Sequence, residues 1–435
     1  MHKVAFFIFP ILLIFTACSD KRSNTNISDY EKFMQKNLLA PKKNNADADL
    51  QFWIKRIEND SDNFVNKLKA TSVHLRLFHL SGNVTHLHAA DSLLKSASSE
   101  LNNKDPEILF AISQNSITQH RFEEAIHYNN YAYKQAGNSY IHTLLEFDSR
   151  METGNYKYAG RVLDRLENKN DFEFLIRKAK EEDHNGNLAK AIDLMEQAFS
   201  KIKTKSKSLY CWTLSNLADM YSHAGRIREA YRSYLDVLGK DPSYLYALKG
   251  ISWIVYSGDK NGDEAKKIIN YILTQTSMPD LWLRLAEIEE WEGNINEKNA
   301  YLEKFIAEVT RPEYENMYNK YLILHYCDDL KRPDKAISLA LNEIGNRSTP
   351  ETYNWLAWAY FCKGEYQKAF AITLNYVYGK TFEPESLYRT AMIFSKSGRQ
   401  KEAIQLLNKC MESSFELGPL KTSQIQYELN LLKKL

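Results

Sequence analysis

Chain breakers are scarce in these 435 residues: there are 16 glycines and 10 prolines. So few breakers, beside 27 tyrosines and 20 phenylalanines, favour helices packed on helices. Charge of one sign is missing as well. Lys and Arg number 57 against 55 Asp and Glu, a formal net charge of +2. That balance gives none of the strongly basic character that nucleic-acid binding usually shows. Enzyme signatures are also missing: there is no G-x-x-x-x-G-K-[ST], no G-x-S-x-G and no H-E-x-x-H. Only five cysteines occur, and none forms C-x-x-C. What is present is a normal globular composition, 44% hydrophobic and 26% charged. The chain is longer than one compact domain needs, which implies several domains or one elongated array.

The one long apolar run is at the start. Residues 4–15 are apolar, interrupted only by Pro10 and preceded by Lys3. This is the build of a secretory signal, and it is too short for a good transmembrane helix. It ends in Phe15, Thr16, Ala17 and Cys18. Small residues just before a cysteine resemble the bacterial lipobox. The resemblance implies cleavage before Cys18 and acylation there, which together anchor a protein stably to a membrane. Residues 1–17 are therefore expected to be a lipoprotein signal peptide. Residues 18–48 are polar and weakly patterned, and read as a lipid-anchored flexible tether with a typical span of roughly 30 Å. Ser19 rather than aspartate follows Cys18. The expected location is the cell envelope, at the outer membrane rather than the inner.

An internal frame recurs along the rest. Ala218, Tyr221, Gly225 and Ala230 repeat as Ala357, Tyr360, Gly364, Ala369 and as Ala391, Phe394, Gly398, Ala403. The small and large residues three apart share one helix face. Glycine accepts the left-handed cap that ends the first helix, and the second alanine lies where the return helix crosses closely. Weaker copies include Ser113/Ser116/Ala125, Phe147/Gly154/Ala159, Ala179/Gly186/Ala191, Gly250/Ala265 with an insertion, Ala286/Gly293 and Leu324/Ala336. The pattern, best in YNWLAWAYFCKGEYQKAF (353–370) and LYRTAMIFSKSGRQKEAI (387–404), resembles the tetratricopeptide repeat, or TPR. The resemblance implies an all-α, right-handed α-solenoid of about ten helix-turn-helix units with capping helices. Residues 49–105 are expected to hold an N-terminal helical cap and a degenerate repeat, 106–417 the solenoid, and 418–435 a C-terminal capping helix. Insertions at 201–207 (KIKTKSK) and 310–316 (TRPEYEN) are expected to emerge as loops, and damage in one unit to act on its neighbours.

Candidate chemistry reads as structural. DKNGDE (259–264) resembles the start of a calcium loop, but Glu264 and Asn270 stand where the loop needs glycine and glutamate. His86 and His88 are two apart and chelate poorly from one helix. Of Cys211, Cys327, Cys362 and Cys410, the pair Cys327 and Cys362 fall at similar places in neighbouring repeats. No cofactor or metal and no enzymatic activity are expected. The TPR resemblance implies a concave groove lined by the first helices. Carried over by register, its positions are Trp212, Asp219, Trp291, Tyr318, Tyr321, His325, Asn354, Trp358, Tyr388 and Met392. The expected function is a protein-interaction scaffold in an envelope assembly or export complex. The alternative is a glycan-binding surface lipoprotein.

Overall fold

The computed structural model describes residues 23–35, 38–137 and 139–434, so the signal sequence and Cys18 lie outside the described residues. Among the described residues every regular element is helical. None of these helices is long and apolar enough to cross a membrane.

Ten antiparallel hairpins follow one another: 64–100, 106–136, 140–163, 172–202, 207–240, 245–273, 280–309, 319–346, 350–372 and 384–412. They are numbered 1 to 10 below. Hairpin 9 shows why the repeated residues form this unit. Thr349 caps its first helix by accepting from the Thr352 amide, and Pro350 opens the helix where no partner amide is needed. Ala357 and Ala369 are fully buried at the crossing, with Tyr360 beside them. Gly364 takes φ +88° at the turn. Hairpins 2, 6 and 8 place His120, Lys260 and Lys331 in that left-handed conformation, at φ between 52° and 59°. Their first helices therefore close without glycine, at a cost that burial of the hairpin offsets. The insertion expected in hairpin 6 is a π-helical turn, Ile254–Gly258, at the end of the first helix.

The superhelix closes on itself. Ser277 N–H donates to Ser81 O at 2.7 Å, and Gly82 lies against Met278. His88 Nε2 donates to the Glu313 carbonyl at 2.6 Å, and Asn346 Nδ2 donates to the His120 carbonyl at 2.9 Å. Gly154 sits against Ser348 and Gly186 against the Phe382 ring. Each of hairpins 1 to 4 thus rests on the chain six hairpins further on. The insertion at 310–316, expected as a loop, is instead part of this seam. It contains a short 3₁₀ helix, Pro312–Tyr314, and Tyr314 is buried with Val84 and Leu87.

Both ends depart from expectation. The tether does not extend to residue 48: the helix Ala40–Asn59 spans the expected boundary, and Leu50 and Trp53 pack on Val73 and Leu77 of hairpin 1. Residues 23–35 lie against hairpins 5 and 6, with Tyr30 fully buried. At the other end the helical segment begins earlier, at Ser414, and breaks at Gly418 (φ 77°, ψ 170°) before Pro419. Its later part caps hairpin 10 through Ile425, Leu429 and Leu432, with Leu417 just before the break. Its beginning crosses the inside of the superhelix, where Ser257 Oγ donates to the Phe415 carbonyl at 2.6 Å. Cys327 and Cys362 adjoin one another on consecutive first helices, both as free thiols, and Cys362 together with burial raises the Cys327 thiol pKa.

Gly250 has a packing reason of its own, since a Cβ there would overlap the Tyr234 ring. Gly250→Ala is expected to destabilise the protein by about 1–3 kcal/mol, as overpacking does. Denaturant melts of the two proteins, with the m-value unchanged, check this.

Candidate functional site

Closure turns the concave face into an internal chamber of about 630 Å³. The first helices of hairpins 5 to 8 and 10 line it, together with the start of the Ser414–Leu432 segment. A second cavity of about 320 Å³ shares Lys320, Glu385 and Arg389 with it. The two adjoin along the inside of the superhelix.

The lining is ionic. Asp219 accepts from the Tyr234 hydroxyl and, at 2.7 Å, from Tyr246. Lys249 pairs with Asp280. Arg284 stacks 3.5 Å from the Trp253 ring centroid and reaches Glu287 at 2.9 Å. Lys298 joins Glu290 at 2.8 Å and Asp329 at 2.7 Å, and His325 Nδ1 lies 2.6 Å from Asp329. Lys320 meets Glu385 at 3.4 Å. Lys421 lies over the Tyr388 ring. The cations are therefore matched to carboxylates or rings. Four carboxylates lining these cavities, Asp183, Glu351, Glu383 and Glu416, take part in no ion pair and accept no hydrogen bond among the described residues, whereas Asp219 and Asp328 accept from tyrosine and tryptophan.

Residues 213–243 and 385–413 match two family models, each described as a tetratricopeptide repeat. Both stretches carry the tetratricopeptide-repeat pattern. No curated protein matches its sequence. Among solved structures, a TPR protein from Parabacteroides merdae is 16% identical, with 60% of this chain and 98% of that one covered and a TM-score of 0.34. The human IFIT1 dimer with PPP-AAAA is 15% identical over 78% of this chain and 90% of that one, TM-score 0.42. The Cut9–Hcn1 hetero-tetramer of the APC/C gives 13%, 93%, 98% and 0.35.

TPR solenoids expose an extended concave face, and here four of the ten expected groove residues line the chamber: Asp219, Tyr321, His325 and Tyr388. Two belong to the interior instead. Asn354 is fully buried, accepting from Arg389 Nε at 2.6 Å and donating to the Ser386 carbonyl. Trp358 is 9% exposed, stacks on Phe361 and donates to Asp328 at 2.8 Å. Both knit consecutive first helices together, a role that register on one helix does not reveal. Trp291 packs edge-on against Tyr256. Tyr318 lies among Tyr314, Phe305 and Tyr321, and Met392 packs with the hairpin 8 and 9 core. Trp212 is 41% exposed beside Phe172, away from the chamber. Sequence reasoning missed Lys320, Glu383, Glu385, Arg389 and Glu416. No motif or spacing marks them in the sequence, and closure is what brings them together.

Crowding by the surrounding protein and by one another sets the protonation of the unpaired acids, of which Asp183 and Glu383 keep contact with solvent. Burial raises the Glu383 carboxyl to about 7, helped by Glu416, Glu351 and Asp183 and opposed by Lys320. Burial also raises Asp183 and Glu416. Lys320, against burial, holds Glu385 well below the usual carboxylate range. Because Glu383 is raised in the folded state, the unfolded chain gives up that proton first as pH rises. Stability then falls between about pH 4.5 and 7. Glu383→Gln is expected to flatten this fall. Melting temperatures of both proteins from pH 5 to 8 check it: the two curves should diverge as pH rises, with the variant above.

Proposed function

We propose that this TPR protein is a non-catalytic scaffold of the cell envelope, anchored through Cys18, whose internal chamber receives a polar, basic segment of a partner protein. The observation that carries the reading is the group of four unpaired carboxylates in adjoining cavities whose cations are already matched. A cationic segment would gain charge-assisted bonds there that an acidic or apolar one would not. Extended peptide in a concave helical face is also the geometry that this repeat supports generally.

The polar lining with Tyr321 and Tyr388 supports a second reading, a glycan lodged against those rings. The two differ in their dependence on charge. Neutralising the acids weakens a basic segment but leaves a neutral sugar almost unaffected.

The test uses a photo-crosslinking residue in place of Tyr321, in the protein's own cells. Protein adducts are expected, and Asp183→Asn with Glu416→Gln is expected to reduce them at least tenfold while the melting temperature stays within a few degrees. Unchanged adducts, or glycan binding without protein adducts, would refute the basic-segment reading. Membrane attachment is a separate expectation. Cys18→Ser leaves no thiol to acylate, so the protein should move from the membrane to the soluble fraction, with lipid mass lost from the N-terminus.

A further inference from the structure

The residues that follow the expected anchor are clasped to the middle of the solenoid. The Asp259 carboxylate accepts five hydrogen bonds from them: Ser23 Oγ at 2.8 Å, Asn24 N at 2.6 Å, Asn24 Nδ2 at 2.8 Å, Thr25 N at 3.1 Å and Thr25 Oγ1 at 2.6 Å. Tyr231 bonds the Asn26 backbone and Asp29 at 3.1 Å. Tyr30 enters the core with no exposure and donates to Glu264 at 3.2 Å. The Tyr271 hydroxyl donates to the Gln35 carbonyl at 2.9 Å, and beyond it Lys42 pairs with Asp241 at 2.6 Å. Every partner lies between residues 231 and 271, on hairpins 5 and 6.

Only five residue steps separate Cys18 from Ser23. Fully extended they reach about 18 Å, and the ordinary reach of so few residues is shorter. We infer that hairpins 5 and 6 present a membrane-facing surface, with the Asp259 clasp holding that part of the solenoid against the lipid headgroups. The inference rests on acylation of Cys18. It reverses the order that the chain suggests, because the lipid attaches beside hairpins 5 and 6 although the chain enters the solenoid at hairpin 1. Charge does not supply the contact. Exposed Lys32, Arg228, Arg232 and Lys267 are interleaved with Glu31, Glu229 and Asp263. The short covalent leash supplies it instead. The clasp also explains a motif with no other role: Asp259 opens the DKNGDE run that imitates a calcium loop, and the first residues of the mature chain occupy its carboxylate.

The test uses the acylated full chain in vesicles of phosphatidylethanolamine and phosphatidylglycerol carrying a headgroup spin label. A dye is placed at Lys267→Cys, one helical turn from Tyr271, or at the distant exposed position Tyr427→Cys, each in a Cys362→Ser background. The spin label is expected to quench the Lys267 position at least twofold more than Tyr427. Inserting about twelve Gly/Ser residues between Arg22 and Ser23 lengthens the leash. It is expected to abolish that difference while amides 24–35 stay protected from hydrogen exchange. Asp259→Ala is expected to lose both the protection and the difference. Equal quenching at the two positions in the uninserted chain would overturn the inference, and so would quenching that survives the insertion. Failure of the anchoring reading is separately visible: Cys18→Ser would then bind vesicles as well as the native chain.

Discussion

Hairpins 1 to 4 rest on the chain six hairpins further along, and the rest of the structure depends on that seam. Backbone carbonyls accept most of its hydrogen bonds, and Val84 and Leu87 pack on Tyr314 across it. The Ser277 amide meets the Ser81 carbonyl, and the Glu313 and His120 carbonyls accept from His88 and Asn346. Glycines 82, 154 and 186 stand where the two turns of the superhelix come closest. An open array would leave these hairpin ends to water. A closed one must satisfy them across the seam. Arg347 illustrates how tightly the turns are joined: it pairs with Glu343 on its own hairpin, reaches Glu152 on hairpin 3 and lies over the Phe122 ring of hairpin 2.

Closure has two consequences. A linear solenoid couples each unit to its neighbours only. Here hairpins 1 and 7, or 3 and 9, are also coupled, so damage at one position has a second route along the seam. The second consequence concerns charge. A concave face open to water can carry carboxylates at their ordinary pKa, but inside a closed turn they are crowded by protein and by one another. Lysines and arginines within reach offset most of that effect. Asp183, Glu351, Glu383 and Glu416 are left facing adjoining cavities, and the rise of Glu383 to about 7 is the electrostatic result.

The repeat itself was legible because it is local. Alanine, aromatic, glycine and alanine at fixed offsets are constraints within one hairpin, and the fully buried Ala218, Ala230, Ala357, Ala369, Ala391 and Ala403 show that each does the packing its spacing implied. Hairpins 2, 6 and 8 were harder to see because His120, Lys260 and Lys331 occupy the turn position that glycine marks elsewhere. The site was only partly legible. Aromatic residues on a first helix can face the groove or the next first helix, and register does not separate the two: Asn354 shares the register of Tyr388 yet is buried, and His325 shares that of Trp358 yet lines the chamber. Tyr321 and Tyr388 line the chamber, whereas Trp358 turns to Asp328 and Phe361.

What no local pattern encodes is contact between segments some 200 residues apart. The N-terminal stretch is polar, weakly periodic and rich in Ser, Asn and Thr, which by composition is a flexible leash. Its order comes mainly from Tyr30, with Phe33, Met34 and Leu39 packed beside it, and from the Asp259 carboxylate supplied from elsewhere. Tyr30 gives the segment an apolar residue to bury, and Asp259 gives its unpaired amides and hydroxyls an acceptor. Hydrogen bonds to a charged acceptor are stronger than neutral ones, so a short polar segment can be held with only a few apolar residues of its own. The same residues that make the stretch look disordered in isolation are the donors that the clasp requires. Composition alone therefore cannot separate a tether from a strap. The difference lies in whether the body of the fold presents an acceptor where the chain passes.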